Sequence, residues 1–251
     1  MNKSKIEWCD YTWNPVTGCY HDCGYCYAGR IANRFGRPQE AIMFEGVLDE
    51  EDKQFEVDER DSKYPYPFGF RPTFHKYRLD QPAKVKKPSK IFVSSMGDLF
   101  GEWVPDEWIE AVLDIVKKCP QHTFQFLTKN PDRYYNYFSV DLLNGGAPDN
   151  LWIGATADNA NKAGCFSDNL CFMNANVRFL SLEPLLEDVA DYIDYEGADW
   201  IIIGAQTGPR AIKPKKEWVQ RIIDQCKKHK IPLFLKDNLG WPEKIQEWPE
   251  C

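Results

Sequence analysis

The sequence predicts an α/β fold, a partial (β/α) barrel of about six or seven parallel strands that carries an irregular insertion. Two observations predict this fold: short apolar runs rich in β-branched and aromatic residues, and amphipathic helical segments between several of them. The runs are continuous rather than alternating, as expected for parallel strands covered on both faces. The runs are Ile91–Val93, Thr123–Leu127, Leu151–Ile153, Arg178–Leu180, Trp200–Ile203 and Leu233–Leu235.

Two of the intervening segments have apolar residues at helical spacing. The segment from Pro105 to Lys118 has a proline near its start, where a helix accepts one, and the segment from Lys215 to Lys230 has the same spacing. No comparable unit is evident between residues 36 and 89, which are rich in proline, aromatic and charged residues. We interpret residues 36–89 as an insertion within a single domain that spans residues 1–251.

Composition restricts the classes of function. The 251 residues include nine cysteines, and 31 basic against 38 acidic residues give a net charge of −7. An acidic chain argues against tight nonspecific binding to long DNA, although Arg71–Lys90 is locally basic, either as solvated surface or as a patch for an anionic partner. The sequence lacks a membrane-spanning apolar run and a signal peptide, so we expect a cytoplasmic protein with reduced cysteines and no membrane partner.

Each predicted strand is followed by small or polar residues. Because the carboxyl ends of parallel strands line the active sites of α/β barrels, these residues predict one polar mouth. The candidates at the strand ends are Ser94, Ser95, Asp98, Lys129, Thr156, Asp158, Asn159, Glu183 and Gln206.

The main chemical signal is a cysteine loop, in which Cys19, Cys23 and Cys26 have the spacing C-x3-C-x2-C. Three thiolates on one loop can each ligate one iron of a cubane cluster, which leaves the fourth iron open to a small molecule. A structural zinc site is an alternative, but it needs a fourth ligand, for which His21 and Cys9 are the nearest candidates. A structural iron–sulfur cluster without catalysis also remains open.

This loop, with the aromatic Tyr25 directly before its third cysteine, resembles the signature of the radical S-adenosylmethionine (SAM) superfamily. Over nearly the whole chain the sequence further resembles the phage Gp37/Gp68-like family, a radical SAM-related family of unassigned function. The segments that carry this second resemblance include Thr12-Trp13-Asn14-Pro15, Ile91–Phe100, Ser181–Leu186 and Phe234-Leu235-Lys236. The chain departs from the family at Gln206, where the family often has a glutamate, and in its shorter cysteine loop.

The resemblance implies two cofactors, a [4Fe-4S] cluster on Cys19, Cys23 and Cys26, and SAM. It further implies the contacts of SAM. The adenine would lie at Tyr25, the amino group at Ser94, Ser95 and Asp98, and the ribose at Thr156, Asp158 and Asn159. The resemblance also implies that Glu183 and Gln206 are inward polar groups. Helix capping is the alternative role for Asp98 and for Thr156, Asp158 and Asn159. Lys129 and Arg210 either neutralise the SAM carboxylate or a substrate anion, or lie on the surface.

The expected function is reductive cleavage of SAM to a 5′-deoxyadenosyl radical, followed by hydrogen abstraction from an unidentified substrate. A nucleoside or nucleic-acid base is our choice of substrate, on the phage association and the basic segment. The resemblance also implies a reductant such as flavodoxin or ferredoxin, and a three-Cys-motif partner protein. The rival hypothesis is a noncatalytic zinc- or iron–sulfur-binding module that recognises nucleic acid, with zinc on the three cysteines and His21. The sequence identifies no catalytic acid, base or hydrogen-atom donor.

Overall fold

The computed structural model describes residues 1–38, 54–140, 146–208 and 211–250. The chain divides into two compact units, Met1–Phe126 and Leu127–Cys251. Each unit contains strands and helices of its own.

The first unit is built around a mostly parallel sheet. Its strands are β1 (Asn2–Lys3), β2 (Tyr11–Trp13), β3 (Val16–Thr17), β4 (Phe55–Val57), β5 (Thr73–His75), β6 (Lys90–Val93) and β7 (Thr123–Thr128). The last two residues of β7 belong to the second unit. The helices of the first unit are α1 (Tyr27–Phe35) and α2 (Asp106–Lys118). The main sheet has the order β1-β2-β6-β7, with β1 antiparallel and the other three strands parallel. In this register Ile91 of β6 lies between Tyr11 of β2 and Phe124 of β7. The neighbouring positions of β2 and β6 bring the segments that follow these strands to one end of the sheet.

Helix α2 has the amphipathic pattern that the sequence predicts. It begins directly after Pro105 and buries Trp108, Ile109, Val112 and Val116. Helix α1 differs, because its buried positions are the small residues Ala28 and Ala32. These alanines pack with Met96 and with the partly buried ring of Phe70.

The described part of the predicted insertion is more regular than the sequence suggests. Strands β3, β5 and β4 form a second, three-stranded sheet, in which β3 is antiparallel and β4 parallel to β5. Two short 3-10 helices follow at Lys76–Arg78 and Pro82–Lys84. The guanidinium of Arg78 anchors this region by donating to the carbonyl oxygens of Asn14 (2.9 Å) and Pro65 (3.0 Å). Residues 39–53 lie outside the described residues.

The second unit contains an all-parallel group of strands in the order β8-β9-β10-β11. These are β8 (Leu151–Thr156), β9 (Val177–Leu182), β10 (Trp200–Ile203) and β11 (Leu233–Leu235), accompanied by the helices α3 (Tyr135–Phe138), α4 (Ala160–Cys171) and α5 (Lys216–His229). Trp200 is fully buried at the start of β10, where it contacts Phe179, Phe234 and Trp248. This aromatic cluster forms much of the core of the unit.

All six predicted strands are present, within three residues of their predicted ends, and both predicted helices begin and end within one residue of prediction. The fold is therefore mixed α/β with mostly parallel strands, as predicted, whereas the partial barrel and the single domain remain predictions. No helix in the described ranges is long and apolar enough to cross a membrane.

Candidate functional site

The cysteine loop follows β2 and β3 and is anchored at its first residues. Gly18 has a φ of +88° and donates its N–H to the carbonyl of Met96 at 2.9 Å. A side chain at this position would lie 2.1 Å from the carbonyl oxygen of Arg71, so only glycine fits there. The N–H of the next residue, Cys19, donates to the carbonyl of Phe70 at 3.0 Å. The start of the loop is therefore held on two sides by backbone hydrogen bonds.

The three candidate ligands are partly buried thiols, none of which is in a disulfide bond. The sulfur of Cys26 caps α1 by accepting from the N–H of Gly29 at 3.4 Å. Burial raises the pKa of the Cys19 thiol far above its usual value, and the nearby carboxylate of Asp98 raises it further. Burial thus favours the neutral thiol, and a metal bound at Cys19 would have to displace its proton.

The donor set fits an iron–sulfur cluster by its chemistry. Three thiols lie on one loop, and the sulfurs of Cys23 and Cys26 are close enough to Cys19 to contribute to raising its pKa. The loop also has room at Gly24, where an added side chain would meet nothing within 4 Å. Within the described ranges, no group of three or more cysteine, histidine or acidic side chains is arranged to hold a metal ion. Cluster binding would therefore require the thiols to converge.

The turn after β6 lies against this loop. An added side chain at Gly97 would lie 2.7 Å from the carbonyl oxygen of Gly18, so the two backbones are in contact. Ser94 has a φ of +56°, and its hydroxyl is buried without a hydrogen-bond partner among the residues that the structure describes. The side-chain oxygen of Asn14 accepts from the hydroxyl of Ser95 at 3.1 Å and from a backbone N–H at 3.0 Å. The turn is thus fixed by Asn14, and the Ser94 hydroxyl takes no part in holding it.

Asp98 joins the turn to the cysteine loop. One of its carboxylate oxygens lies 2.8 Å from Nε2 of His21, and the other accepts from the N–H of Phe100 at 3.0 Å. The His21 ring also meets the edge of Trp103. Asp98 does not cap α2, because the N-cap of that helix is Pro105. The sequence did not predict the contact between Asp98 and His21, although His21 was considered as a possible zinc ligand.

Tyr25, the residue expected at the adenine, is half-buried in the turn that precedes α1. Its place at the adenine stays a prediction.

In the second unit, Asp158 is surrounded by donors. It is buried beyond the end of β8, and its carboxylate meets the ammonium groups of Lys162 at 2.8 Å and Lys129 at 3.7 Å. Asn159 caps α4 by accepting from the N–H of Lys162 at 2.9 Å, which agrees with the capping alternative. Thr156 is buried as the last residue of β8. With two ammonium groups around one carboxylate, this cluster has an excess of positive charge.

A second polar cluster lies at the ends of β9, β10 and β11. Glu183 forms a close ion pair with Lys236, whose role the sequence did not suggest. The side-chain oxygen of Gln206 accepts from the N–H of Ile212 at 3.1 Å, so its amide supports a local loop. Arg210 lies outside the described residues. The structure therefore brings together the cysteine loop with Ser94–Asp98 in one unit, and Glu183 with Lys236 in the other.

Comparisons with known proteins add a family and a fold. The family model described as "Protein of unknown function (DUF5131)" matches residues 3–248. A search of curated proteins gave no match. Among solved structures, a variant of spore photoproduct lyase with dinucleoside spore photoproduct is similar, with a TM-score of 0.54 and 9% identity over 93% of this chain and 78% of that chain. Another variant of the same lyase has a TM-score of 0.52 and 11% identity over the same shares. At this identity the likeness shows a common fold with a radical SAM enzyme. The Gp37/Gp68-like resemblance remains a prediction.

Proposed function

The chain belongs to the DUF5131 family of proteins of unknown function, and we propose that it is a radical SAM enzyme that acts on a nucleoside or a nucleic-acid base. It would cleave SAM to a 5′-deoxyadenosyl radical, which abstracts hydrogen from the substrate. The observation that carries this proposal is the contact between the cysteine loop and the Ser94–Asp98 turn at the ends of two neighbouring parallel strands.

Cys19, Cys23 and Cys26 would hold a [4Fe-4S] cluster. When bound, such a cluster supplies the electron for SAM cleavage and an open iron for the methionyl amine and carboxylate. The residues around the thiols keep the loop in place, because the Asp98–His21 contact and the Gly18 hydrogen bond hold it without using a sulfur atom.

The Ser94–Asp98 turn would bind the amino end of SAM. Ser94 is 3% exposed, and its buried hydroxyl lacks a partner in the described part of the chain, so a ligand group would remove the cost of leaving it unsatisfied. Gly97 allows the backbone to approach closely, since it has no side chain. Asp98 contributes negative charge beside the turn and also positions His21.

The remaining candidates keep separate proposed roles. Tyr25 would contact the adenine, and Thr156 and Asp158 the ribose. Asn159 and Gln206 already accept hydrogen bonds from the backbone, so we propose that they mainly hold their loops.

Glu183, paired with Lys236, would be a polar contact for SAM or substrate.

A nucleic-acid base as substrate is supported by the fold likeness to spore photoproduct lyase, which was solved with a dinucleoside photoproduct. The basic segment Arg71–Lys90 offers charge for phosphate groups. A flavodoxin or ferredoxin would supply electrons, and a three-Cys-motif partner protein is a further proposed partner.

Anaerobic reconstitution with iron and sulfide tests the proposal. We expect a brown protein that absorbs near roughly 400 nm and, after reduction with dithionite, forms 5′-deoxyadenosine from SAM. Cys23→Ala should abolish both, whereas Cys165→Ala, which changes an exposed cysteine on α4, should abolish neither. An intact, reduced cluster that forms no 5′-deoxyadenosine would refute SAM chemistry.

One observation favours the zinc-module alternative. Metal-ligating histidines usually donate their second ring nitrogen to a carboxylate, and His21 contacts Asp98 in that manner through Nε2. Purification without added metal distinguishes the two, since bound zinc that requires His21 supports the module. Iron and sulfide that are retained in His21→Ala support the cluster.

A further inference from the structure

Helix α1 exposes the larger of its apolar side chains. Tyr27, Ile31 and Phe35 are 42%, 38% and 48% exposed, whereas the buried residues of the helix are Ala28 and Ala32. The three exposed side chains are four residues apart, so they form one stripe along the helix. Large apolar side chains aligned on an outer surface mark an interaction site more often than scattered ones do.

The same face is basic. Arg30 and Arg34 are exposed and lie beside the stripe, one turn apart. The guanidinium of Arg34 lies 5.3 Å from the centre of the Phe35 ring. The helix contains no acidic residue, although the chain as a whole has a net charge of −7. The surface formed by Tyr27, Arg30, Ile31, Arg34 and Phe35, called the α1 face below, therefore favours an acidic partner.

We propose that the α1 face docks an acidic protein that carries a single transferable electron. This inference rests on the proposed function, because reductive SAM cleavage requires one electron from outside the chain. The docked carrier would give up one electron, and a cluster held by the cysteine loop would accept it, with no bond formed or broken between the two proteins. An apolar centre with charged residues beside it has the composition of a small, transient protein interface.

The position of the helix supports this partner. Cys26, the third candidate cluster ligand, is the N-cap of α1, and its sulfur accepts from the N–H of Gly29 at 3.4 Å. The hydroxyl of Tyr27, the first residue of the helix, donates to the carbonyl of Ser95 in the β6 turn at 2.7 Å. A protein seated on the α1 face therefore lies directly beside the loop that would hold the cluster. A single-stranded nucleic acid is the less suitable occupant, because Ile31 at the centre of the stripe offers no ring on which a base can stack.

The test uses the full chain and a flavodoxin of net negative charge as the probe. The variant is Arg30→Glu with Arg34→Glu, and the matched control is Lys3→Glu with Lys5→Glu, which makes the same change of charge at two exposed residues in and just after β1. Flavodoxin affinity is measured by calorimetry on reconstituted protein at low and high salt, and 5′-deoxyadenosine formation is measured with flavodoxin and, separately, with dithionite. We expect the α1 variant to lose about tenfold or more in flavodoxin affinity and in the flavodoxin-driven rate. Its dithionite-driven rate and the behaviour of the control should equal those of the wild type.

Flavodoxin affinity that is unchanged in the α1 variant, or equally weakened in the control, would overturn the docking surface. Loss of binding to a single-stranded oligonucleotide without loss of binding to flavodoxin would overturn it in favour of nucleic acid. Ile31→Ser tests the apolar part and should also weaken flavodoxin binding. If the wild type forms no 5′-deoxyadenosine even with dithionite, the proposed function fails, and the calorimetric comparison of variant and control then decides the docking surface alone.

Discussion

His75 offers a test of how the structure beneath the cysteine loop is stabilised. It is fully buried at the end of β5, and its Nε2 lies 2.9 Å from the hydroxyl of Thr17, two residues before Cys19. Burial, and secondly the positive charge of Arg78, lower the pKa of His75 from 6.5 to about 2. We therefore expect His75→Gln to flatten the dependence of stability on pH.

The sign and magnitude follow from the two pKa values. Between pH 6.5 and about 2 the unfolded chain binds a proton at His75 that the folded chain does not, so stability falls as the pH falls through this window. From pH 7 to pH 5, linkage with these values gives a loss of about 2 kcal/mol from this one group.

Urea unfolding at pH 7 and pH 5 measures the difference. The wild type should lose about 2 kcal/mol more over this interval than His75→Gln does, whatever the stability of the variant at pH 7. Thr17→Val is the control, because it removes the hydrogen-bond partner but keeps the imidazole. It should lower stability by about 1–3 kcal/mol and keep the pH dependence of the wild type. An identical pH dependence in the wild type and in His75→Gln would refute the reasoning.

Three further substitutions test the site. Gly97→Ala places a methyl group about 2.7 Å from the carbonyl oxygen of Gly18, so it should lower the iron content of the protein after reconstitution. The control Gly24→Ala, whose methyl group meets nothing within 4 Å, should keep the iron content of the wild type. Asp98→Ala should weaken SAM binding about ten- to hundred-fold by calorimetry, and an equal loss in His21→Ala would mean that Asp98 acts only through that histidine. Glu183→Gln should lower the free energy of urea unfolding by about 1–3 kcal/mol, because it leaves a mostly buried lysine without its charge partner, and an unchanged value would make this ion pair energetically neutral.

The strands could be predicted because their signal is local. Runs such as Trp200–Ile203 are continuous, apolar and rich in β-branched residues, and the structure has β10 at the same residues. Helix α2 was equally clear, since its large buried residues recur at helical spacing.

Helix α1 and the small sheet could not be predicted from such patterns. The buried side of α1 consists of Ala28 and Ala32, whereas its large apolar residues face outward, so the usual relation between hydrophobicity and burial is inverted. Strands β3, β4 and β5 have only two or three residues each, too few to show a period. They depend on pairing with one another, which is a tertiary effect.

The neighbourhood of the site was partly predictable. The order of the strands along the sequence predicts that the cysteine loop lies beside the Ser94–Asp98 turn. In the structure the two strands that precede these segments, β2 and β6, pair in parallel. The contact of Asp98 with His21 depends on the path of two loops, which no periodicity encodes. The SAM contacts themselves remain predictions.

The contacts that hold the cysteine loop bear on the choice between an enzyme and a zinc module. The backbone of Gly18 and the Thr17–His75 pair each tie the loop or its approach to the rest of the unit, and neither of these contacts uses a cysteine sulfur. A structural zinc site contributes the folding energy of its loop through the metal–sulfur bonds, so such a loop needs little other support. Here the protein supplies that support itself. A loop that is positioned by the protein can leave one metal coordination site to a substrate, and this is the requirement that reductive SAM cleavage places on the chain.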